Sequence, residues 1–327
     1  MIKVTKLLLE SLLNNNDPII QYKTRVYVLG EDPSHPNLVN LQGQILKSPI
    51  ITMLLSERDG NGKIPHHPYK KWTGAHWVLT HLAELDYPQG DTSLLPLRDQ
   101  VYEWLFSQRH QDSILSIQGR VRRCASQEAN ALFSSLALGL TDERTEKLAQ
   151  NLLHWQWPDG GWNCDKKPDA YHSSFFETHT PLRALSLYSQ ITGAEKFRKA
   201  VENAAEVFIK RSLFRSQTTG KLISPEFLNL HYPVYWHYDI LSGLMNIASV
   251  GCLSDIRCKE ALDILESKQL PDGGFPAESR FYQGTKPDIS NFSIVNWGGV
   301  SKKKSNPWVT IYALSVLKQA GRLSLIT

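Results

Sequence analysis

The residues with chemistry to offer are gathered in five short stretches. GRVRRCASQEAN carries Arg120, Arg122, Arg123, Cys124, Gln127 and Glu128, and WNCDKKPDAYHSSFFETHT carries Cys164, Asp165, Tyr171, His172 and Glu177. Cys124, Cys164, Asp165 and His172 are thiol, carboxyl and imidazole donors of the kind zinc takes, so a zinc site is one expectation. No Cys-x-x-Cys or His-Glu-x-x-His spacing reinforces it, and two buried small thiols with a capping histidine would use the same residues. Arg120, Arg122 and Arg123 offer planar forks for phosphate or carboxylate oxygens. HYPVYWHYD carries His231, Tyr232, Tyr235, Trp236, His237 and Asp239, which suit acid–base work. His237 and Asp239 are two positions apart and do not share a helix face, so a carboxylate from another stretch, such as Glu177, is the better partner for a histidine base. The expected catalytic groups are therefore His172, Glu177, His237 and Asp239.

The remaining stretches supply aromatic rings. One contains His66, His67, Lys71, Trp72 and His76, and the other, WGGVSKKKSNPWVT, contains Trp297, Lys302, Lys303, Lys304, Asn306 and Trp308. Trp72, His76, Arg122, Arg123, Gln127, Tyr232, Trp236, Trp297 and Trp308 are the expected substrate contacts, with ring faces able to hold an apolar tail or a cation. Lys302–Lys304 also reads as a solvated loop.

These stretches need elements to position them, and an internal repeat provides them. LLHWQWPDGGWN (152–163) and LESKQLPDGGFP (265–276) share Leu, a Gln four residues later, and Pro-Asp-Gly-Gly-aromatic. Weaker echoes surround Asp59, Asp112 and Gly220, a recurrence that marks a repeat architecture. Between the turns, apolar residues recur at helical spacing. The pattern predicts first helices over about 40–56, 94–107, 143–156, 195–212 and 255–268, and second helices over about 72–86, 127–140, 173–190, 233–248 and 306–319. The second set is apolar on most sides and reads as an inner layer, whereas the first is amphipathic and reads as an outer one. The expected fold is all-α, an α/α toroid of five such pairs in one domain over 1–327. An N-terminal amphipathic helix and lead-in fill 1–35, and a short extended stretch falls at Arg25–Leu29.

Composition narrows the classes. In 327 residues, 41% are hydrophobic and 21% charged, and the net charge is +4, with Lys and Arg scattered. No long basic run suggests nucleic acid, and no apolar stretch approaches the length of a membrane span. Four unevenly spaced cysteines do not form a disulfide framework, which leads to an expectation of reduced thiols in the cytoplasm. The expected partner is a small molecule; a second subunit is compatible with the sequence but not indicated by it.

Gln156-Trp-Pro-Asp-Gly-Gly-Trp162 and Gln269-Leu-Pro-Asp-Gly-Gly-Phe275 resemble the QW repeats of squalene and other terpenoid cyclases, a superfamily that includes protein prenyltransferase β-subunits. The resemblance implies an α/α toroid and a structural role for Gln156, Trp162, Gln269 and Phe275. Tyr171-His172 is similar to the Tyr-His that contributes a zinc ligand in the prenyltransferases. The stretch before Cys124 is similar to the one leading into their Asp-x-Cys, although position 122 is Arg. Neither Asp-x-Asp-Asp nor Asp-Asp-x-x-Asp occurs, which argues against squalene-type cyclisation. The resemblance implies an enzyme for an isoprenoid substrate, acting by prenyl transfer or by a non-standard cyclisation or isomerisation. The alternatives are a carbohydrate lyase or hydrolase, for which Glu177 and Asp239 would be paired acids, and a non-catalytic binding protein.

Overall fold

A computed structural model describes residues 2–284 and 290–325 and shows an all-α chain with only short strands. Most of the expected helices form near their expected bounds, but the one expected over about 233–248 begins only at Ile240, where Asp239 caps it, and Trp236 and His237 lie in the irregular stretch before it. The outer helices are Leu95–Leu105, Glu143–Trp155, Glu195–Ile209 and Lys259–Ser267, and the inner ones are Ala75–Glu84, Ser126–Ala137, Phe175–Thr192, Ile240–Ser249 and Pro307–Gln319. The first outer helix, expected over about 40–56, is divided into Pro36–Ile45 and Pro49–Leu55. Proline lacks the N–H that an unbroken helix would need at position 49.

The chain packs as two compact units. One comprises the residues up to Met53, Ile209–Gly284 and those from Val295 onward, and the other comprises Leu54–Phe208 with 290–294. In the second unit the helices Ala75–Glu84, Ser126–Ala137 and Phe175–Thr192 stand side by side, and Leu95–Leu105 and Glu143–Trp155 pack outside them. Burial follows the same division: every residue from Ala75 to Ala83 is buried, whereas Glu143–Trp155 buries one face only.

The repeated turns show why each takes two glycines. Trp157 N–H donates to Gly161 O at 2.8 Å and Gly160 N–H to Trp157 O at 2.9 Å, and Leu270, Gly273 and Gly274 repeat this at 2.9 and 2.8 Å. Gly160 and Gly273 have φ of 104° and 90°, the region that only glycine enters freely. The second glycine allows close approach instead: a Cβ at Gly161 would stand 2.4 Å from Thr178 Oγ1, and one at Gly274 2.5 Å from Ser305 Cβ. The Gln156 amide donates to Gly160 O and to Ala200 O at 2.7 and 2.8 Å, tying its turn to the next outer helix. Gln269 donates to Gly273 O and, at 3.2 Å, to Lys3 O. The echo at Asp59 closes the same way, whereas the one near Asp112 leads into a hairpin, Leu115–Ile117 with Arg120–Arg122.

Two sequence expectations near the N-terminus are corrected. Arg25–Leu29 is not extended; Thr24–Leu29 continues the Pro18–Lys23 helix as a wider π-helical turn that stops at Gly30, with φ 80°. The lead-in begins with a strand, Ile2–Val4, in parallel register with Leu323–Leu325, before the helix Lys6–Leu13 that Thr5 caps. Among the described residues no helix is long and apolar enough to cross a membrane.

Candidate functional site

The second unit brings two of the expected donors together. Cys124, Cys164 and Glu177 place their ligand atoms within 4.8 Å of one another, the one such group of three among the described residues. Each comes from a different element. Cys124 lies between the hairpin strand Arg120–Arg122 and the helix Ser126–Ala137, Cys164 follows the Pro-Asp-Gly-Gly turn, and Glu177 sits in the first turn of Phe175–Thr192. The Arg123 N–H donates to Asn163 O at 3.3 Å and holds the two loops side by side.

Hydrogen bonds set the charge balance of this centre. The Cys164 thiol donates to Glu177 Oε1 at 3.6 Å, and the Ser126 N–H donates to Glu177 Oε2 at 3.1 Å. Burial pushes the Glu177 carboxyl up from its ordinary range. The hydrogen bond between the two thiols lowers Cys124 and raises Cys164, and burial adds to the rise at Cys164. Burial and the nearby Glu177 also raise the Tyr69 phenol. Two thiols and a buried carboxyl form a donor set that a zinc ion would fit.

An aromatic wall and a buried ion pair flank the centre. Tyr69 meets His76, Trp77 and Trp104 with ring centroids 5.1, 5.2 and 5.4 Å away. His76 donates through Nε2 to Gln127 O at 3.0 Å, its Nδ1 has no partner among the described residues, and burial lowers its pKa to about 4. Arg123 is committed to Glu128, with Nε and Nη2 at 3.0 and 2.6 Å from Oε1, and it reaches Gln127 Oε1 at 2.9 Å. His110 completes this cluster. His110 was not foreseen because it stands outside the five stretches, and Tyr69 was passed over although it lies within the His66–His76 stretch.

Arg122 differs from Arg123. It is 2% exposed, its guanidinium lies 4.4 Å from the Trp157 ring centre, and Nη2 donates to Ala170 O at 2.8 Å. Its Nε and Nη1 have no hydrogen-bond partner among the described residues. A buried cation with open donors lacks the pairing that burial ordinarily demands.

Asp165 and His172, expected beside the two cysteines, lie outside the ligand group. Both are exposed: Asp165 Oδ1 accepts the Lys167 N–H at 3.0 Å in a local turn, and the His172 ring lies tilted against exposed Tyr171 with centroids 4.1 Å apart. Trp72 is 2% exposed and meets Trp77 edge to face, with ring centroids 4.7 Å apart.

The first unit holds the other expected residues. Asp239 pairs with His231 rather than with His237: His231 Nδ1 stands 2.9 Å from Asp239 Oδ2, and both residues are buried. Asp239 also caps the helix Ile240–Ser249, accepting the Ser242 N–H at 2.7 Å, and it accepts the His231 N–H at 2.9 Å. Burial works against its charge, but His231 and these N–H groups hold its pKa below the ordinary aspartate value. His237 stacks between Trp236 and Phe281. Tyr232, Trp297 and Trp308 pack on one another, with Tyr232 and Trp308 stacked at 5.1 Å and all three buried. Lys302–Lys304 are exposed, as a solvated loop would be.

No protein family and no curated protein matches the sequence. Among solved structures, a protein from Actinoplanes is 17% identical, with 93% of this chain and 90% of that one covered and a TM-score of 0.44. Two variants of the type II terpene cyclase MstE from Scytonema also match. The one with its product merosterolic acid A is 15% identical, with 83% and 94% covered and a TM-score of 0.26. The one with its substrate geranylgeranyl dihydroxybenzoate is 16% identical, with 84% and 96% covered and a TM-score of 0.26. These values are too low to assign a fold or an activity to this chain.

Proposed function

We propose that the chain is an enzyme for a small apolar substrate of the isoprenoid class, with its reaction centre at Cys124, Cys164 and Glu177, and that it catalyses prenyl transfer. The convergence of two thiols and a buried carboxyl from three separate elements carries this reading. Structural cysteines are ordinarily placed among apolar side chains, whereas Cys164 is bonded to a carboxyl that burial disfavours as an anion. In this reading Cys124, Cys164 and Glu177 hold zinc. A zinc ion bound there would supply Lewis acidity and keep a bound thiol or water deprotonated near neutral pH. Tyr69, His76, Trp77 and Trp104 would take the isoprenoid chain. Arg122 would take the anionic head group through its open N–H donors. Arg123 is neutralised by Glu128 and would act by holding the loop ahead of Cys124.

The test combines metal analysis with a binding assay. The freshly purified protein is expected to carry one zinc per chain, lost in a Cys124→Ser/Cys164→Ser variant that still melts cooperatively. Farnesyl diphosphate should bind to the wild type and weaken by a factor of ten or more in Arg122→Met, on the order of one lost charge-assisted contact. A metal-free protein that ignores farnesyl diphosphate would overturn the proposal.

A further inference from the structure

A second reactive arrangement lies in the first unit, apart from the thiol centre. His231 and Asp239 form a buried pair in which Nδ1 stands 2.9 Å from Asp239 Oδ2 and its N–H also reaches the acceptor Asn229 O at 3.4 Å. Asp239 is itself fixed by the N-terminus of Ile240–Ser249, so its carboxylate cannot turn away from the imidazole. That bond sets the tautomer: with the proton on Nδ1, Nε2 carries a lone pair. Nε2 has no partner among the described residues, although His231 is 2% exposed. A buried imidazole whose far nitrogen is left unsatisfied needs an explanation.

The explanation offered by the fold is Ser279. The segment carrying it runs parallel to the one carrying His231, with the two residues paired across a β-bridge. The Glu278 and Ser279 N–H groups donate to Leu230 O at 2.7 and 3.3 Å and hold that register. Ser279 Oγ is also buried without a hydrogen-bond partner among the described residues. Phe281, two residues further on, meets the His231 ring at 4.8 Å, so the serine segment and the imidazole share one locality. A hydroxyl and an imidazole nitrogen, both unsatisfied and on paired backbones, are the two halves of a nucleophile–base couple.

We propose that Ser279, His231 and Asp239 form a serine hydrolase centre acting on small apolar esters. The Ser279 hydroxyl gives its proton to His231 Nε2 as Oγ bonds to the ester carbonyl carbon. The alkoxide leaves with the proton carried by His231, and an acyl-serine remains. Water then attacks that carbonyl, loses its proton to Nε2, and returns the serine as the carboxylic acid departs. Asp239 is a positioning residue: it holds the Nδ1–H tautomer and stabilises the imidazolium that forms. Ser279 Oγ and His231 Nε2 are not hydrogen-bonded at rest, as catalytic couples often are not before substrate binds, and catalysis requires the serine side chain to turn to Nε2 when the ester enters. The aromatic stack of Trp236, His237 and Phe281 beside the couple fits an apolar acyl or alcohol portion.

The test uses the full-length protein and a small alkyl fluorophosphonate, with the labelled peptide mapped by mass spectrometry, alongside hydrolysis of p-nitrophenyl butyrate. Labelling is expected at Ser279 and is lost in Ser279→Ala. His231→Gln should lower both labelling and hydrolysis by about a thousandfold, the scale of losing a triad base. Asp239→Asn keeps a helix-capping side chain and should lower kcat while leaving KM in place. Circular dichroism and thermal melting confirm that each variant is folded, with Ser279→Ala as the mildest change. Wild-type protein unlabelled at Ser279, or labelling unchanged in folded His231→Gln, would overturn the proposal.

Discussion

The Thr178 hydroxyl accepts the backbone N–H of Trp162 at 3.1 Å, and in the companion repeat Thr310 accepts that of Phe275 at 2.8 Å. Each threonine sits in an inner helix and fastens the preceding turn to it, with a glycine next to the aromatic residue allowing the contact. Gly161→Ala places a methyl against Thr178 and Ser173 and is expected to lower stability by about 3 kcal/mol, the upper end for overpacking. Gly43→Ala is the control: its Cβ meets nothing within 4 Å in an exposed helix, so stability should rise by about 1 kcal/mol. Urea unfolding of the two variants compares them directly.

Breaking the Arg123–Glu128 pair from one side should be costly. Glu128 is 1% exposed and Arg123 7% exposed, so Glu128→Gln leaves an uncompensated buried guanidinium. The expected loss is about 3–5 kcal/mol. The double variant Arg123→Met/Glu128→Leu should recover much of it, and a double-mutant cycle by chemical unfolding measures the coupling.

Arg122 is expected to behave in the opposite way. With two guanidinium donors unsatisfied, Arg122→Met removes a buried cation and keeps a side chain for the Trp157 face. Stability should rise by about 1–2 kcal/mol. An unchanged or lower unfolding free energy would show that Arg122 contributes to folding and is not held ready for an anion.

His76 should make stability depend on pH on the acid side. Burial lowers its pKa to about 4 from 6.5, so the unfolded chain binds the proton more readily than the folded one. The contribution is fully present above about pH 6.5 and is lost as pH falls toward 4, amounting to roughly 3 kcal/mol. His76→Gln should flatten that part of the stability profile measured by thermal or urea unfolding between pH 4 and 7. An equally steep profile in the variant would assign the slope to other groups.

Asp239 works on the same side of the scale, but lower. Its pKa lies below the ordinary 3.8, so its contribution is present above that value and lost as pH falls through the folded pKa. Asp239→Ala removes the cap and the His231 contact together and should cost about 2–4 kcal/mol at pH 7. Asp239→Asn should restore the part due to capping, and melting of both variants at pH 7 separates the two terms.

Much of the architecture was legible in the chain itself. Apolar residues at helical spacing located the inner helices because a buried helix must be apolar on most sides, and Pro-Asp-Gly-Gly located the turns because positive φ and close backbone approach both require glycine. The strand pairing of Ile2–Val4 with Leu323–Leu325 was not legible, since three residues at each end of the sequence carry no mark of their partner. Cys124, Cys164 and Glu177 were each identifiable by type. Their grouping was not, and neither was the exclusion of Asp165 and His172, which neighbour the centre in sequence and turn to solvent.

The choice of His231 over His237 as the partner of Asp239 has the same origin. A capping carboxylate is aimed by its helix, and the chain that returns to meet it is set by long-range packing. Residue types and their periodicity thus determined the helices, the turns and the inventory of reactive groups, because these depend on local sterics and on the sidedness of burial. Tertiary structure alone decided which groups meet, because a side chain's neighbours depend on how separate elements pack and not on distance along the chain.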